Sequence, residues 1–465
     1  MIEFSMEIIK IAKRILAEYS LCAECFGRQF ALLGSSFTNT QRAHSILNTL
    51  LLEYHHQLNV SQDKGEIFIN YLDEIKEISI HTNHEPAHQI IRKFEPEWKP
   101  FPDFTCYLCN NLFSSVDSIV KQISNNATKY EFSNYLVGTG VNAKILDRED
   151  EFRARLDINS GESLKKNINR VVGKNLEELW KKPVEFNNPE LSIQLHLEKN
   201  QFHVTLTSNP LCIKGKYRKY LRGIPQTHWP HRLCKGKGCE KCNYTGKQYP
   251  MSVEELISPP FLLQSQSENS VFHGAGREDI DARCLGTGRP FIIELKEPQV
   301  RTFNLYEIQL KVNNNQGDKV EIFDLEFVNR SEIKNLKCSG ETTAKTYNAL
   351  IKSEIPISRR NFKQMIGNIA LKVLENPIQQ RTPLRVVHRR ADLTRKRSIF
   401  AIEFRWKDKF HFYAKIKAMG GTYIKEFISG DKGRTKISLA ELFGIPMVCM
   451  ELDIIDIEKL QIPKL

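Results

Sequence analysis

The chain opens with a helical pattern of apolar residues. Intervals of one, three and four residues separate Ile8, Ile11, Ala12, Ile15 and Leu16, a spacing that places them on one face of an α-helix. The pattern predicts an amphipathic helix over residues 5–19, directly before a pair of cysteines.

Alternating apolar and polar positions predict strands further along. Residues 190–207 alternate in this way and predict a hairpin that turns near Lys199 and Asn200. In the second half, the same alternation predicts strands at 323–327, 384–386, 400–406 and 412–418, the last two as a hairpin. Helix-like stretches cover 302–312 and 360–375. This order predicts an α+β fold built on an antiparallel or mixed sheet.

Length and composition predict two or three domains in a soluble protein. The chain has 465 residues, more than one ordinary core accommodates. Pro259 and Pro260 open a Gln-, Ser- and Asn-rich run, so we place the domain boundary there, between 1–257 and 258–465. No stretch approaches the roughly 20 apolar residues of a membrane span, and the charged N-terminus lacks a signal-peptide core. We expect a cytoplasmic protein that does not bind membranes.

Positive charge is concentrated in two segments. The net charge is +12, yet residues 214–247 carry +9 and residues 381–397 carry +6. Aromatic residues are interleaved in the first segment. This distribution favours binding to a polyanion such as nucleic acid over an ordinary solvated surface.

Two groups of cysteines have the spacing of metal ligands. Cys22 with Cys25 and Cys106 with Cys109 form two C-x2-C pairs, and two such pairs in a non-secreted chain predict a structural zinc site with four thiolates. A second group, H-x2-C-x4-C-x2-C, lies in the most basic segment. It is a possible second zinc site with ligands His231, Cys234, Cys239 and Cys242, in which His228 or Cys212 could replace His231.

The loop 276–290 is the candidate for chemistry. It packs carboxylates and arginines between glycines and runs into the apolar strand 291–295. A carboxylate flanked by guanidiniums stays ionised, which suits a nucleophile or general base. We find no Lys-Ser/Thr phosphate loop, no H-E-x-x-H helix, no G-x-S-x-G elbow and no dinucleotide fingerprint, so no organic cofactor is expected.

Several ordered motifs carry a family resemblance. They are GREDIDARCLGTGRPFIIEL (276–295), KTYNAL (345–350), TPLRVVHRR (382–390) and GGTYIKEFISGDKGRT (420–435), with LCAECFGRQFALLG (21–34), KGKYRKYLRGIPQTHWP (214–230) and TGKQYPMSVEELI (245–257) upstream. Together they resemble the tRNA pseudouridine synthase family of archaea and eukaryotes that has an N-terminal THUMP-containing domain.

The resemblance implies a fold and an activity. It implies a zinc-clipped, THUMP-like α/β accessory domain over 1–257 and a pseudouridine synthase domain over 258–465, with a central, mostly antiparallel sheet. The implied reaction converts uridine to pseudouridine at position 54, 55 or both in the TΨC arm of tRNA. It needs no organic cofactor, and no obligate protein partner is evident.

The resemblance also implies roles for single residues. Asp279 of the Arg-x-Asp loop matches the nucleophile, with Asp281 as the competing assignment, and Arg277, Tyr347 and Lys425 match supporting or substrate-binding positions. The route, direct attack at the sugar or a glycal, stays open. Candidate RNA-contacting residues are Lys216, Arg218, Lys219, Arg222, Arg389 and Arg390. The alternative function is a non-catalytic tRNA-binding or tRNA-folding protein with a synthase-like domain.

Overall fold

The computed structural model divides the chain into two compact units, Met1–Asn209 and Pro210–Leu465. It describes residues 2–61, 65–99, 104–198, 201–339 and 343–459. No helix within these ranges is long and apolar enough to cross a bilayer.

The N-terminal unit is mainly helical and contains one small sheet. Its elements are α1 (Ile2–Glu18), α2 (Ala23–Gly27), α3 (Asn39–Val60), α4 (Glu66–Thr82), α5 (Glu85–Phe94), α6 (Val116–Ala127), β1 (Tyr135–Val141), α7 (Ala143–Leu156), α8 (Leu164–Trp180), β2 (Leu191–Glu198) and β3 (Gln201–Ser208). The predicted first helix is confirmed as α1. Strand β2 pairs in parallel with β1 and antiparallel with β3, which confirms the hairpin. Its turn residues, Lys199 and Asn200, lie outside the described residues.

Two hydrophobic cores stabilise this unit. One lies among α1 to α5 and includes Cys25, Cys106 and Cys109, so three of the four predicted ligands are core residues. The other packs α6 and α8 against the sheet through residues such as Ile123 and Leu176.

The C-terminal unit is built on a large mixed sheet. Its elements are β4 (Leu211–Lys219), α9 (Val253–Ser265), β5 (Asn269–Gly274), β6 (Arg283–Lys296), α10 (Leu305–Gln316), β7 (Val320–Val328), α11 (Glu332–Ser339), β8 (Thr343–Ser353), α12 (Arg359–Glu375), β9 (Ile378–Arg381), β10 (Thr394–Arg397), β11 (Ile399–Trp406), β12 (His411–Met419), α13 (Ile424–Ser429), β13 (Thr435–Lys436), α14 (Leu439–Phe443) and β14 (Met447–Lys459). The strand order is β11-β12-β8-β14-β6-β4-β7, with β5 paired to β6. The pairing of β14 with β6 is parallel and the other pairings are antiparallel. The expected mixed, mostly antiparallel sheet is therefore confirmed.

The domain boundary differs from the predicted position. The structure divides the chain between Asn209 and Pro210, because β4 is an inner strand that pairs with both β6 and β7. Residues 257 and 258 lie inside α9, which continues through Pro259 and Pro260. The basic segment therefore begins inside the C-terminal sheet.

Most predicted elements of this unit are confirmed, and one strand is wrong. Residues 302–312 and 360–375 correspond to α10 and α12, and the predicted hairpin corresponds to β11 and β12. Residues 384–386, predicted as a strand, form a turn that leads into a short 3-10 helix, Val387–Arg389. This turn carries Arg385 toward the Asp279 loop.

Candidate active site

A buried ion pair holds the loop between β5 and β6 in place. The carboxylate of Glu278 is fully buried, and Arg289 Nε lies 2.8 Å from its Oε2. The Tyr217 hydroxyl donates to both carboxylate oxygens, at 2.8 and 3.0 Å. Burial acts to lower the pKa of Arg289, but the charge of Glu278 raises it above its usual value. This pairing fixes the residue immediately before Asp279.

Two basic side chains hold the backbone of the same loop. Lys219 Nζ donates to the carbonyl oxygens of Ile224, Asp279 and Ile280, at 3.0, 3.4 and 3.1 Å. Arg222 Nη1 donates to the carbonyl oxygen of Asp281 at 2.9 Å. Lys219 is fully buried, so its prediction as an RNA contact is wrong. Its position on β4, two residues after the buried Tyr217, directs it inward.

Two cations hold Asp279. The sequence indicated Lys425 but not Arg385. Arg385 Nη1 donates to its Oδ1 at 2.8 Å, and Lys425 Nζ lies 3.6 Å from its Oδ2. The side chain is 29% exposed, so it is both paired and accessible. Arg385 is in turn anchored by Glu426, which accepts from its Nε at 2.7 Å and is itself buried. The sequence placed Arg385 only in a basic run, 106 residues from its partner.

Asp281 has a different environment from Asp279. Lys425 Nζ donates to both of its carboxylate oxygens at 2.6 Å, and the side chain is 64% exposed. Burial acts to raise the pKa of Asp281, but the Lys425 ammonium outweighs it and holds the pKa below its usual value. Lys425 thus links the two carboxylates, and its closer partner is Asp281.

A cavity of about 680 Å³ opens beside the Asp279 loop. Its walls combine the loop with β8 and α13, and the lining includes Trp229, Arg277, Asp279, Arg289, Lys345, Tyr347, Arg385, Arg390, Tyr423 and Lys425. Tyr347 is buried in its wall, and burial raises the pKa of Tyr347 to about 12. The phenol is therefore neutral at pH 7. The volume lies within the range of small-molecule sites.

Arg277 and Arg390 also line the cavity. The Arg277 guanidinium carbon is 4.5 Å from the ring centroid of Trp229, a cation–π distance. Arg390 Nη1 donates to the Tyr423 hydroxyl at 2.9 Å, and the residue is exposed. The side chain of Arg389 lies outside the described residues.

Three predicted RNA contacts on or after β4 are engaged in ion pairs. Lys216 pairs with Asp324 at 2.9 Å and Arg218 with Glu321 at 2.8 Å, and both lysine and arginine remain partly exposed. Arg222 pairs with Asp453 at 2.6 Å and also holds the Asp281 carbonyl. Arg222 is therefore part of the support of the loop.

The first cysteine cluster can hold a metal ion. The sulfurs of Cys22, Cys25, Cys106 and Cys109 lie within 4.8 Å of one another, and Cys22 and Cys109 are 3.7 Å apart. Tetrahedral coordination at about 2.3 Å places two sulfurs about 3.8 Å apart. The backbone N–H of Tyr107 donates to the Ser20 carbonyl at 2.7 Å, which joins the two segments that carry the ligands.

The second cluster brings together His231, Cys234, Cys239 and Cys242. His231 Nδ1 is 3.5 Å from the sulfurs of both Cys234 and Cys239, and Cys242 is 3.9 and 3.7 Å from the same sulfurs. Tetrahedral geometry places a nitrogen about 3.6 Å from each sulfur. The imidazole thus fits the fourth position. Cys212, the suggested substitute, is buried in β4.

Two family profiles match this chain. A family profile described as "Pus10, C-terminal" matches residues 212–458, and one described as "Pus10 THUMP domain, archaeal" matches residues 119–196. The THUMP match thus covers the region from α6 to β2, within the N-terminal unit.

Curated relatives match nearly the whole chain. The chain is 36% identical over 453 residues to "tRNA pseudouridine synthase Pus10" of Methanothrix thermoacetophila, covering 97% of this chain and 94% of that protein. It is 38% identical over 456 residues to the protein of the same name from Methanocaldococcus jannaschii, covering 97% and 95%. A solved structure described as "Crystal structure of pseudouridylate synthase" shares 11% identity at a TM-score of 0.21, covering 57% of this chain and 73% of that chain. At that score the likeness adds nothing.

Proposed function

Because the chain belongs to the Pus10 family of tRNA pseudouridine synthases, we propose that it isomerises a uridine in the TΨC arm of tRNA, at position 54, 55 or both, with Asp279 as nucleophile. The observation that carries this assignment is the environment of Asp279. Its carboxylate is accessible at a cavity, and two cations pair with it and fix its orientation.

The side chains around the cavity suit the steps of the reaction. The target uridine must leave the helical stack and enter a pocket. The neutral ring of Tyr347 offers a face on which the base can stack. Asp279 then takes part in breaking the N1–C1′ bond, the retained uracil rotates, and C5 bonds to C1′. The proton lost from C5 is balanced by one gained at N1, so no co-reactant is consumed.

Asp281 is the weaker candidate for nucleophile. Both of its carboxylate oxygens accept from Lys425 at 2.6 Å, so an attack would first have to break both contacts. We assign it the role of orienting Lys425 toward Asp279.

The tRNA-binding surface that we propose combines the cavity rim with exposed cations. Arg390 is exposed at the cavity. Lys216 and Arg218 pair with surface carboxylates, and such exposed pairs are weak enough for a phosphate to replace the carboxylate. These residues are candidates for phosphate contacts.

Zinc is the metal that we propose for both cysteine clusters. Four thiolates, or three thiolates with one imidazole, are the ligand sets of structural zinc. The first cluster would join α2 to the segment around Cys106, and the second would hold a Gly- and Lys-rich loop. In both sites the metal's role is structural.

The test is position-mapped pseudouridine formation in an unmodified tRNA transcript. We expect product in the TΨC arm from the wild type. For Asp279→Asn we expect a loss of at least about a thousandfold, as for a removed nucleophile. Asp281→Asn is the comparison variant: it changes the neighbouring carboxylate of the same loop, which orients Lys425, so we expect a smaller loss than for Asp279→Asn.

Each outcome has a distinct meaning. Product at other tRNA positions would contradict the TΨC assignment. Activity that survives in Asp279→Asn and is lost in Asp281→Asn would contradict the choice of nucleophile. A folded wild type that binds tRNA and forms no pseudouridine would favour the non-catalytic function.

A further inference from the structure

Lys345 is a buried lysine in the wall of the cavity. It lies two residues before Tyr347 on β8, so the two side chains share a face of the strand, and both line the cavity. Lys345 is 7% exposed. Lysine is rarely this deeply buried, because an ammonium loses its hydration on burial unless a partner replaces it.

No described residue provides that partner. Within the ranges that the structure describes, none accepts a hydrogen bond from the Lys345 ammonium or forms an ion pair with it. A second cation lies close by. A Cβ atom built on Gly276 would be 3.2 Å from Lys345 Nζ and 3.3 Å from Arg289 Nη1, so both nitrogens flank one point beside the Asp279 loop.

Arg289 is already committed to other groups. Its Nε faces Glu278 and its Nη1 donates to the Ala275 carbonyl at 2.8 Å. Both oxygens of Glu278 accept from Tyr217. Lys345, Arg289 and Glu278 thus form a buried set of two cations and one carboxylate, which leaves a net positive charge beside the cavity.

The chemistry of the cavity indicates what this charge serves. Burial and the neighbouring Arg289 lower the pKa of Lys345 to about 8, so the ammonium is mostly protonated at pH 7. A buried cation with little opposite charge around it binds an anion strongly, because the cation has already lost most of its hydration before a negative charge develops next to it.

We propose that Lys345 is a catalytic residue that donates a hydrogen bond to a carbonyl oxygen of the uracil as the base leaves the ribose. This inference rests on the proposed function. When the N1–C1′ bond breaks, its electron pair passes to the uracil, whose ring nitrogens and carbonyl oxygens then share a negative charge. The charge is withdrawn again when C5 bonds to C1′ and a proton moves from C5 to N1.

The position of Lys345 suits this role. Residues two apart on a strand are about 7 Å apart along it, a distance that the four-carbon lysine stem can span. A base stacked on Tyr347 would therefore lie within reach of the ammonium. Phosphate groups remain on the outer side of a flipped nucleotide, so the base is the part that reaches a residue this deeply buried.

The test compares Lys345→Met with Lys352→Met. Both lysines are on β8, but Lys352 is exposed and seven residues farther along the strand, which makes it a matched control. The measurements are the single-turnover rate of pseudouridine formation with enzyme in excess, the Kd for unmodified tRNA, and the melting temperature. Lys345→Gln keeps a hydrogen-bond donor without the charge.

For Lys345→Met we expect a rate lower by about 100- to 1000-fold, as for loss of one donor to a developing anion. The Kd should change less than about twofold and the melting temperature should not fall, because methionine replaces a buried charge by an apolar group of similar length. Lys345→Gln should retain an intermediate rate, and Lys352→Met should match the wild type.

Two results would overturn the inference. One is an unchanged rate in Lys345→Met with an active wild type, which contradicts the inference and leaves the proposed function intact. The other is a rate loss explained by weaker tRNA binding and a lower melting temperature, which assigns Lys345 a structural role. A wild type that forms no pseudouridine contradicts both proposals. If Lys345→Met fails to fold, Lys345→Gln takes its place in the test, and an unchanged rate in Lys345→Gln contradicts the inference.

Discussion

The cysteine clusters and one buried cation of each unit have different environments. In the N-terminal unit, three of the four clustered cysteines belong to the hydrophobic core, and the fully buried Arg28 pairs with Glu149. In the C-terminal unit, the cysteine cluster lies in a partly exposed loop, and Lys345 is buried with no described partner. Paired, buried groups stabilise a fold, whereas a group left without a partner beside a cavity is available to a ligand.

The largest expected effect comes from the first cysteine cluster. Cys25→Ser, or chelation, should abolish cooperative unfolding of the N-terminal unit, because the structural zinc that we propose there would contribute on the order of 10 kcal/mol to folding. Trp98 and Trp180 lie in this unit, and their fluorescence can follow the transition alongside metal analysis.

Cys284→Ser is the matched control for that change. Cys284 is equally buried, belongs to neither cluster and lies on β6 of the C-terminal unit, so its replacement should leave the metal content and the unfolding of the N-terminal unit unchanged. The structural role of the first cluster is contradicted if no metal copurifies with the protein and Cys25→Ser has the same melting temperature as Cys284→Ser.

A smaller, pH-dependent effect is expected from Lys345. Its pKa is about 8 in the folded protein against 10.5 when exposed, a difference that corresponds to about 3 kcal/mol. Below pH 8 the lysine is protonated in both states and the full cost of the buried charge is present. Between pH 8 and 10.5 the unfolded state binds more protons than the folded state. The free energy of unfolding of the wild type therefore rises with pH relative to that of Lys345→Met.

Urea unfolding of the two proteins at pH 7 and pH 10 checks this sign. The stability advantage of Lys345→Met should be largest at pH 7 and should shrink at pH 10. An advantage that grows with pH would mean that the lysine has a partner that stabilises its charge.

The smallest effect is expected from the second cysteine cluster. Cys239→Ser should change the free energy of unfolding of the C-terminal unit by no more than about 1 kcal/mol, because its loop contributes little to the core. Faster amide hydrogen exchange should appear within residues 231–247. A loss of stability as large as that of Cys25→Ser would show that the two clusters are equivalent.

The sequence predicted local secondary structure better than it predicted contacts between residues far apart in the chain. Alternation revealed the β2–β3 and β11–β12 hairpins, and spacing identified both cysteine clusters that could hold a metal ion. Strand β14 escaped notice because its register shifts twice, between Cys449 and Glu451 and between Ile454 and Asp456, which interrupts the alternation.

The candidate site was predicted in part. The sequence placed Asp279, Tyr347 and Lys425 in one candidate site, and all three line the cavity. It did not indicate Arg385, because no local pattern indicates a contact over 106 residues. Lys219 was placed on the surface by its charge alone, although its place in the alternation of β4 directs it inward. The same reasoning applied to Lys345, two residues before Tyr347, would have placed it in the cavity wall.

The position of β4 has a consequence for how the protein can be divided and synthesised. A fragment that begins at residue 258 lacks an inner strand, so β6 and β7 would each present an open edge that invites aggregation. During translation, β4 leaves the ribosome well before β6 and β7 are made. The first strand of the synthase sheet must therefore wait, unpaired, until about 70 further residues have been added, the distance from its start to the start of β6.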